Sequence, residues 1–537
     1  MPLICSQMWP GVGEGPGFSL CRSSEGDMLM TVRIKLFFLL AVASFIAQCP
    51  LYAQDEDPAA GTMELTIQSA VALSLTNNAL LRAAQRDSQA ADFRLKGQKG
   101  YWEPAIVVSA TYEDQRRENT VKEELSLFTP VLEERNMSYS LAVEGLFLTG
   151  ARYKIRYTLE DAANNLTNLT FREMAPFESE YASFAGVSIT QPILKNVGMR
   201  VTRSGIEDAE LRRSISRQKL RLETMLTIAR TEVAFWNAWY AQQLCDLRKQ
   251  SLAIANELLE DNQERFKEGK MSEIEVAQAR VGAGRRERLW LTARVSLKEA
   301  ACDLMNAMGV QMNDTELSMK FDEVALENQD IELEKKVQMA LSNHPDVLIA
   351  EAQIRLGDLR LLVARNQRLP ELNLVANYGL NGLGTTERES WDKLNEADYP
   401  SWSASCVFRL PLGFDYQGRY VARAAEAEKE KALEGYRAAR TDVVNALRTA
   451  IERATLLKQM TRALEEEVEI AEMSLESERV LLANGKSTSR RVLEMEEDLS
   501  KSRIEYLDVQ AGWRKVLVQL DVSDGGMLTR RNLEIWD

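Results

Sequence analysis

Residues 77–112 read NNALLRAAQRDSQAADFRLKGQKGYWEPAIVVSATY, and residues 343–378 read NHPDVLIAEAQIRLGDLRLLVARNQRLPELNLVANY. The two stretches align without a gap, so that Pro104 falls on Pro370 and Tyr112 on Tyr378. In each stretch, a helical spacing of apolar residues changes to alternation just after the proline. Because the residue before a proline avoids the helical conformation, this pattern predicts a helix that ends at a strand with one apolar face.

A second strand is predicted before each of two long helical regions. The segments SITQPILKNVG, ending at Gly198, and FRLPLGFDYQG, ending at Gly418, each contain a proline at the end of an alternating run. In the second copy the apolar positions are Trp402, Ala404, Cys406, Phe408 and Leu410, and the polar ones are Ser403, Ser405 and Arg409. This alternation suits a strand between lipid and water, and it suits a strand of a soluble sandwich equally well.

The two regions that follow contain no proline, which breaks helix interiors. Between about 201 and 267, the apolar residues recur with a mean spacing close to the 3.6 residues of a helical turn. A helix of that length would extend roughly 100 Å. The region from about 420 to 483 has the same character. Each region is followed by a glycine turn and a shorter helical pattern of roughly 35 residues, which predicts two long helical hairpins.

The turns between these helices also have a chemical signature. Gly269 can end the first long helix in the left-handed conformation, and Ser272 with Glu275 predicts a capping box that starts the return helix. Gly485 occupies the same place in the second hairpin. The candidate caps there are Ser487, Thr488 and Ser489.

The N-terminus is typical of a targeting signal. Two basic residues precede the short apolar run 36–47, which predicts a signal peptide over 30–53 with cleavage after Ala53. Residues 1–29 are then an over-extended start. Modification of Cys49 as a lipoprotein is the alternative, although the preceding glutamine disfavours it.

The composition excludes several classes of function. The chain has 80 acidic and 66 basic residues, a net charge of -14, which disfavours a nucleic-acid partner. Its one histidine, His344, provides neither a catalytic triad nor a histidine cluster, so we expect no enzyme, no metal site and no cofactor. Three widely spaced cysteines remain after the signal peptide and suggest no disulfide framework: Cys245, Cys302 and Cys406.

Taken together, residues 62–523 resemble the TolC family of outer-membrane efflux and secretion channels. The resemblance is carried by the ordered set SITQPILKNVG, FKEGKMSEIEVAQA, HPDVLIAEAQI and LANGKSTSRRVLEM. It implies a mixed α and β membrane protein, a homotrimeric outer-membrane β-barrel continuous with a long periplasmic α-helical coiled-coil barrel. Each chain would supply four strands to a shared barrel of twelve strands. The boundaries would be a linker 54–61, a first repeat 62–310, an equatorial linker 311–330, a second repeat 331–523 and a tail 524–537.

The resemblance also implies partners. The trimer would pass small molecules or polypeptides from an inner-membrane pump of RND or ABC type, through a periplasmic membrane-fusion adaptor, to the exterior. The barrel would contact outer-membrane lipid. The adaptor would dock at the periplasmic tip, on Phe266, Gly269, Lys270, Ser272, Glu275, Leu482, Gly485, Lys486 and Thr488.

The family pattern further implies a pore constriction on the helix after the second turn, at positions that fall on Arg491 and Glu494. Family members have acidic residues at both positions, so Arg491 departs from the pattern. Arg491 has several candidate partners: Glu494 in its own helix, Glu496 or Asp498 of a neighbour, and Glu275 beside the first turn. Alternatively, it faces solvent.

Two questions stay open at this point. The segment 137–160 contains SYSLAVEGLFLTG and ARYKIRYTL, which predict a hairpin that bends at Thr149 and Gly150. These residues could form longer strands, an extra hairpin or a loop domain, and the strand count depends on which. A periplasmic adaptor is the rival class, but it would have one helical hairpin rather than two.

Overall fold

The computed structural model describes residues 63–122, 124, 130–164, 179–311, 317–319, 333–413, 415–484 and 486–533. The predicted start segment, signal peptide and lipidation site lie outside these residues, and so does Gly485. The helices are α1 (Ile67–Asn77), α2 (Ala79–Lys99), α3 (Met199–Thr202), α4 (Ser204–Lys267), α5 (Glu273–Met308), α6 (Leu333–Asn343), α7 (Pro345–Gln367), α8 (Glu387–Glu396), α9 (Tyr416–Ala483), α10 (Ser489–Ser523) and α11 (Met527–Arg530).

A six-stranded antiparallel sheet lies at one end of the helices. In spatial order its strands are β2 (Ala105–Glu118), β3 (Val131–Leu146), β4 (Arg152–Asn164), β5 (Glu180–Pro192), β7 (Glu371–Gly384) and β8 (Pro400–Arg409). The prediction of four strands is therefore wrong. The segment 137–160 forms most of β3 and β4, because its alternating side chains let both strands pair into the sheet as an extra hairpin.

Both predicted steps from helix to strand are present. Helix α2 ends at Lys99, a single 3-10 turn follows, and β2 begins at Ala105 directly after Pro104. Helix α7 ends at Gln367, and β7 begins directly after Pro370. Each proline thus stands where the backbone changes from the helical to the extended conformation, as the sequence predicts.

The long helical hairpins are confirmed as well. Helix α4 has 64 residues and α9 has 68, and their return helices α5 and α10 have 36 and 35. At 1.5 Å per residue, α4 and α9 are each about 100 Å long. Among the described helices, none is both long and apolar enough to cross a membrane.

The helices pack around several small cores rather than one large one. The largest lies where α4 meets α5 and contains the buried side chains of Phe235, Trp239, Leu304 and Met308. A short parallel pairing of β1 (Met63–Leu65) with β6 (Leu317–Met319) brings Leu65 into this core. Such a chain of local cores suits long helices, because each turn can bury only the narrow apolar stripe that faces its neighbours.

Residues 527–533 fold back onto α4. Met527 in α11 is fully buried, and Arg531 makes a bidentate ion pair with buried Glu232 of α4 at 2.8 and 2.9 Å. Hydrogen bonds from Arg531 hold its pKa above the ordinary value, whereas burial raises the pKa of the nearby Asp521 carboxyl. The last described turn of the chain therefore joins the helical core through charged as well as apolar contacts.

His344 is the N-cap of α7, where its Nδ1 accepts a hydrogen bond from the backbone N–H of Asp346 at 3.3 Å. Burial lowers its pKa below 6.5 and Arg221 lowers it further, while Asp346 and Asp524 oppose the shift.

The lowered pKa of His344 predicts a pH-dependent stability. As the pH falls, the unfolded chain binds a proton at His344 before the folded chain does, so the free energy of unfolding should fall as pH drops below about 6.5. We expect His344→Asn, which keeps a capping acceptor, to show a smaller loss between pH 7.5 and 5. Thermal unfolding followed by circular dichroism measures the loss of stability in both proteins. Equal losses in the parent and in His344→Asn would contradict the role of His344.

Candidate functional site: the apolar sheet face and the hairpin tips

One face of the sheet presents apolar side chains in continuous cross-strand rows. The strand registers align one row across all six strands: Ile106, Val143, Ile155, Val187, Tyr378 and Trp402. Ile106 is 72% exposed and Trp402 is 77% exposed. The next row contains Val108, Leu141 and Tyr157. A large exposed apolar surface of this kind is typical of a contact with lipid or protein.

The opposite face of the same sheet is mostly polar. The row beside that of Val108 contains Ser109, Ser140 and Thr158, and the hydroxyl groups of Ser109 and Ser140 share a hydrogen bond at 2.8 Å. On β7 and β8, the side-chain amide of Asn377 donates to Ser403 Oγ at 3.0 Å. The predicted division of these strands into an apolar and a polar face is therefore confirmed by the register.

At the other end of the helices, the first hairpin turns through Gly269, whose φ is 73°. The backbone N–H of Gly269 donates to Phe266 O at 2.9 Å, and that of Lys270 donates to Arg265 O at 2.8 Å. Ser272 then caps α5, and its Oγ and the Glu275 carboxylate form the predicted capping box. These bonds satisfy backbone groups that both helix ends would otherwise leave open.

The second hairpin turns in a similar way. The backbone N–H of Lys486 donates to Leu481 O at 2.9 Å, and Thr488 is the N-cap of α10. The side chain of Thr488 accepts a hydrogen bond from the backbone N–H of Arg491 at 3.4 Å. Arg491 thus occupies the position that Glu275 holds in the first tip, where a guanidinium cannot return the reciprocal bond of a capping box.

The structure brings the two tips together. A cleft of about 560 Å³ lies between them, with Glu275 and Met271 from the first tip and Leu482, Thr488 and Arg490 from the second among its lining residues. Phe266 and Lys270 are exposed beside it. Three of the residues predicted for adaptor docking, Glu275, Leu482 and Thr488, therefore line one cleft, although the first is more than 200 positions from the other two.

Arg491 and Glu494 are in contact at this surface. Arg491 Nη1 lies 3.4 Å from Glu494 Oε2, and Arg490 Nε lies 3.1 Å from Glu494 Oε1. All three side chains are largely exposed. Of the candidate partners of Arg491, Glu494 of its own helix is in contact with it. Glu496 of the same chain bonds to Arg286 instead.

Glu496 belongs to a buried ion pair that the sequence analysis missed. Arg286 of α5 donates from Nη2 to Glu496 Oε2 at 2.8 Å, and the two side chains are only 9% and 6% exposed. The guanidinium also donates to Ser251 Oγ, Gly282 O and Leu493 O at 3.2–3.4 Å. The pair therefore ties the return helix of the first hairpin to that of the second near the tips.

Among the described residues, no group of three or more His, Cys, Asp and Glu side chains is arranged to hold a metal ion. The cysteines of this part of the chain are free thiols, with Cys245 buried and Cys406 exposed on the apolar face of β8. Burial raises the pKa of the Cys245 thiol, which makes it a poor nucleophile.

Residues 337–526 match the family model of outer membrane efflux proteins. Over 189 residues, 34% of this chain, the sequence is 25% identical to nodulation protein T of Rhizobium leguminosarum bv. trifolii, and the match spans 38% of that relative. The fold is similar to the CmeC outer membrane channel of Campylobacter jejuni, with a TM-score of 0.62 and 15% identity over 86% of this chain and 85% of that one. It is also similar to the outer membrane protein VceC of Vibrio cholerae, with a TM-score of 0.61 and 14% identity over 86% and 96%.

A sheet with one exposed apolar face, joined to helical hairpins of this length, is the architecture that the chain shares with these outer-membrane proteins. Residues 337–526 thus resemble outer membrane efflux proteins in sequence, and the fold resembles those of CmeC and VceC. The predicted resemblance to TolC-type channels is confirmed by the family model and the shared fold, and the solved structures that share this fold are outer-membrane proteins. The family model describes efflux proteins and the similar CmeC structure is a channel, in agreement with the prediction of a protein without enzymatic activity.

Gly269 offers a direct test of the tip. Its φ of 73° is a conformation that β-branched residues avoid, so Gly269→Val should strain the turn by about 1 kcal/mol or more and impair docking of the adaptor that the resemblance implies. Assembly of the trimer that the resemblance implies should be unaffected, because the turn lies far from the sheet. Gly284→Val is the matched control, since Gly284 is helical and has open space around its Cα. Export by Gly269→Val is compared with export by Gly284→Val. Normal export by Gly269→Val would contradict a role of the tip. The same result is expected for Gly485→Val.

Proposed function

We propose that the protein is the outer-membrane channel of a tripartite export system and works as a homotrimer. The exposed apolar face of the sheet carries this proposal, because it ends where two hairpins of about 100 Å begin. The sheets of three copies would enclose a pore through the membrane, and the hairpins would extend that pore across the periplasm. Small molecules or polypeptides would enter from an inner-membrane pump of RND or ABC type.

The experiment begins with the mature protein in its native membrane. We expect it to fractionate with the outer membrane, to run as a trimer that resists mild detergent, and to conduct ions in planar bilayers. Deletion of its gene should impair export of the cargo of the pump encoded beside it. A monomer recovered in the soluble periplasmic fraction would overturn the proposal.

The cleft between the tips is the proposed docking site for the adaptor. It combines an apolar element, Leu482, with hydroxyl and charged groups from both hairpins, including Thr488 and Glu275. Exposed Phe266 and Ile274 add apolar surface at its edge. A site of this mixed character fits a helical hairpin of a partner, whose apolar residues would enter the cleft while its polar residues face the rim.

We further propose that Arg491 and Glu494 contribute to the closed state of the pore. Three copies of each would meet near the trimer axis, where their pairing would neutralise charge. Because an exposed pair is worth about 1 kcal/mol or less, Arg491→Ser or Glu494→Ala should raise resting conductance by no more than about fivefold. High salt should reduce the difference.

Single-channel recordings at low salt measure the resting conductance of Arg491→Ser and Glu494→Ala. Arg437→Ser is the matched control, because Arg437 and Glu434 form a similarly exposed pair three residues apart in the long helix α9. If both tip variants open no more often than the parent and the control, these residues are ordinary surface, and the constriction lies elsewhere.

A further inference from the structure

The two outer strands of the sheet are incomplete as they stand. Within the described part of the chain, β2 pairs only with β3, and β8 pairs only with β7. Every residue of both strands is exposed, in contrast to the partly buried strands between them. Inside a membrane, unpaired backbone groups have no water to bond, so open sheet edges of this kind do not occur there.

We propose that each protomer supplies all six strands to the barrel, with β2 of one copy pairing with β8 of the next. Three copies then form an eighteen-stranded barrel rather than the twelve-stranded one that the family resemblance implies. This inference rests on the proposed function as a trimeric channel. The occupant of each open edge is thus a second copy of this chain.

The direction of the strands allows this closure. The six strands alternate, so β2 runs away from the helices and β8 runs back toward them. The two edges therefore meet as an antiparallel pair, and an even number of strands per copy keeps the alternation unbroken around the ring.

The side chains of the two edges are also compatible. Ile106 and Val108 of β2 lie on the same sheet face as Trp402 and Cys406 of β8, as the chain of registers between them requires. Pairing of the two edges would join the apolar rows of adjacent copies into one continuous band. It would also keep the polar residues together on the inner face.

The inserted hairpin is fixed to the helices and is not a loose loop. Its turn at Gly150 has a φ of 92°, and a Cβ there would lie 2.6 Å from the backbone oxygen of Asn196. Thr149 Oγ1 donates to Gln191 Oε1 at 3.1 Å. The turn therefore sits on the corner where β5 leads into the first long hairpin, which anchors β3 and β4 at the same level as the other strands.

The consequence is a wider pore. With strands about 4.8 Å apart and tilted by about 40°, twelve strands give a backbone diameter of about 24 Å and eighteen give about 36 Å. The inner face is lined by polar residues such as Ser140, Thr158 and Asn377, so this width would be filled by water. The barrel would then accept bulkier hydrated cargo than a twelve-stranded one.

Paired cysteines distinguish the two barrels. In a background with the native cysteines changed to serine, Ser109→Cys with Ser140→Cys probes β2 against β3, and Lys154→Cys with Ser188→Cys probes β4 against β5. We expect both pairs to form disulfides within one chain of the membrane-embedded trimer. Val108→Cys with Ser140→Cys is the matched control and should not react, because those side chains point to opposite faces.

The outcome that overturns the inference is equally specific. In a four-stranded protomer, β2 would lie directly beside β5, so Ser109→Cys would react with a cysteine at position 184, 186 or 188. In the six-stranded sheet these positions are three strands away, about 14 Å, which is too far for a disulfide. Trimers that conduct but show the β2–β5 disulfide would refute the eighteen strands and leave the channel function intact. Absence of both trimers and conductance would refute the proposed function itself.

The native Cys406 tests closure between copies. Placed on the apolar face of β8, it should form disulfides with single cysteines at Ile106, Val108 or Ala110 of the next copy, giving linked dimers and trimers on non-reducing gels. Cysteines at Ser109 and Thr111 face the opposite side and serve as controls. Linkage from the control positions alone, or none from any position, would contradict the pairing of β2 with β8.

Discussion

Replacement of Arg286 with alanine is expected to destabilise the helical part of the protein by about 3–5 kcal/mol. The reason is that Glu496 would remain buried with its carboxylate charge unpaired, after losing two hydrogen bonds at 2.8 and 3.2 Å. Urea unfolding of the detergent-solubilised protein, followed by far-UV circular dichroism, measures the loss. In the proposed trimer the same change should also raise resting conductance, because the pair holds the two hairpins together near the tips.

Two variants separate the ion pair from other effects of the substitution. Arg285 and Glu497 are the adjacent residues on the same two helices and form a pair at 3.3 Å, but their side chains are 60% and 56% exposed. Arg285→Ala should therefore cost less than about 1 kcal/mol. The double variant Arg286→Met/Glu496→Leu removes both charges and should regain most of the lost stability. If Arg286→Ala and Arg285→Ala prove equally mild, the buried pair is not a structural link.

The fold was predictable where local patterns determine the structure. The two long helices, the turn at Gly269 and the steps at Pro104 and Pro370 each follow from spacing within a few turns of chain. Capping by Ser272 follows in the same way, because an N-cap bonds to a residue three positions away. At the second tip the sequence leaves three candidates, of which the structure selects Thr488. These features need no information about distant parts of the sequence.

The strand count and the buried pair were not predictable for the same physical reason. Alternation over 137–160 predicts strands, but it does not reveal that β3 will pair with β2 and β4 with β5, since register depends on neighbours that are distant in sequence. Arg286 and Arg285 are identical in type and adjacent in sequence. Only the packing of α10, about 210 residues away, buries one and exposes the other.

The apolar sheet face predicts the second large effect. Leu141 lies between Val108 of β2 and Tyr157 of β4, in the middle of the apolar rows, and is 50% exposed. If this face meets lipid, Leu141→Arg should destabilise the barrel by about 2–4 kcal/mol, because a guanidinium near the middle of the bilayer loses its hydration. We expect fewer folded trimers in the outer membrane and a lower midpoint in their denaturation.

Ser140→Arg is the matched control, since it adds the same side chain one residue away on the polar face of the same strand. A water-filled lumen would hydrate that arginine, so trimer yield and stability should stay close to those of the parent, while ion selectivity should shift toward anions. The comparison holds strand, depth and chemistry constant and changes only the face. If both arginines are tolerated equally, the apolar face does not contact lipid; if Ser140→Arg is the more damaging, the two faces have been assigned in reverse.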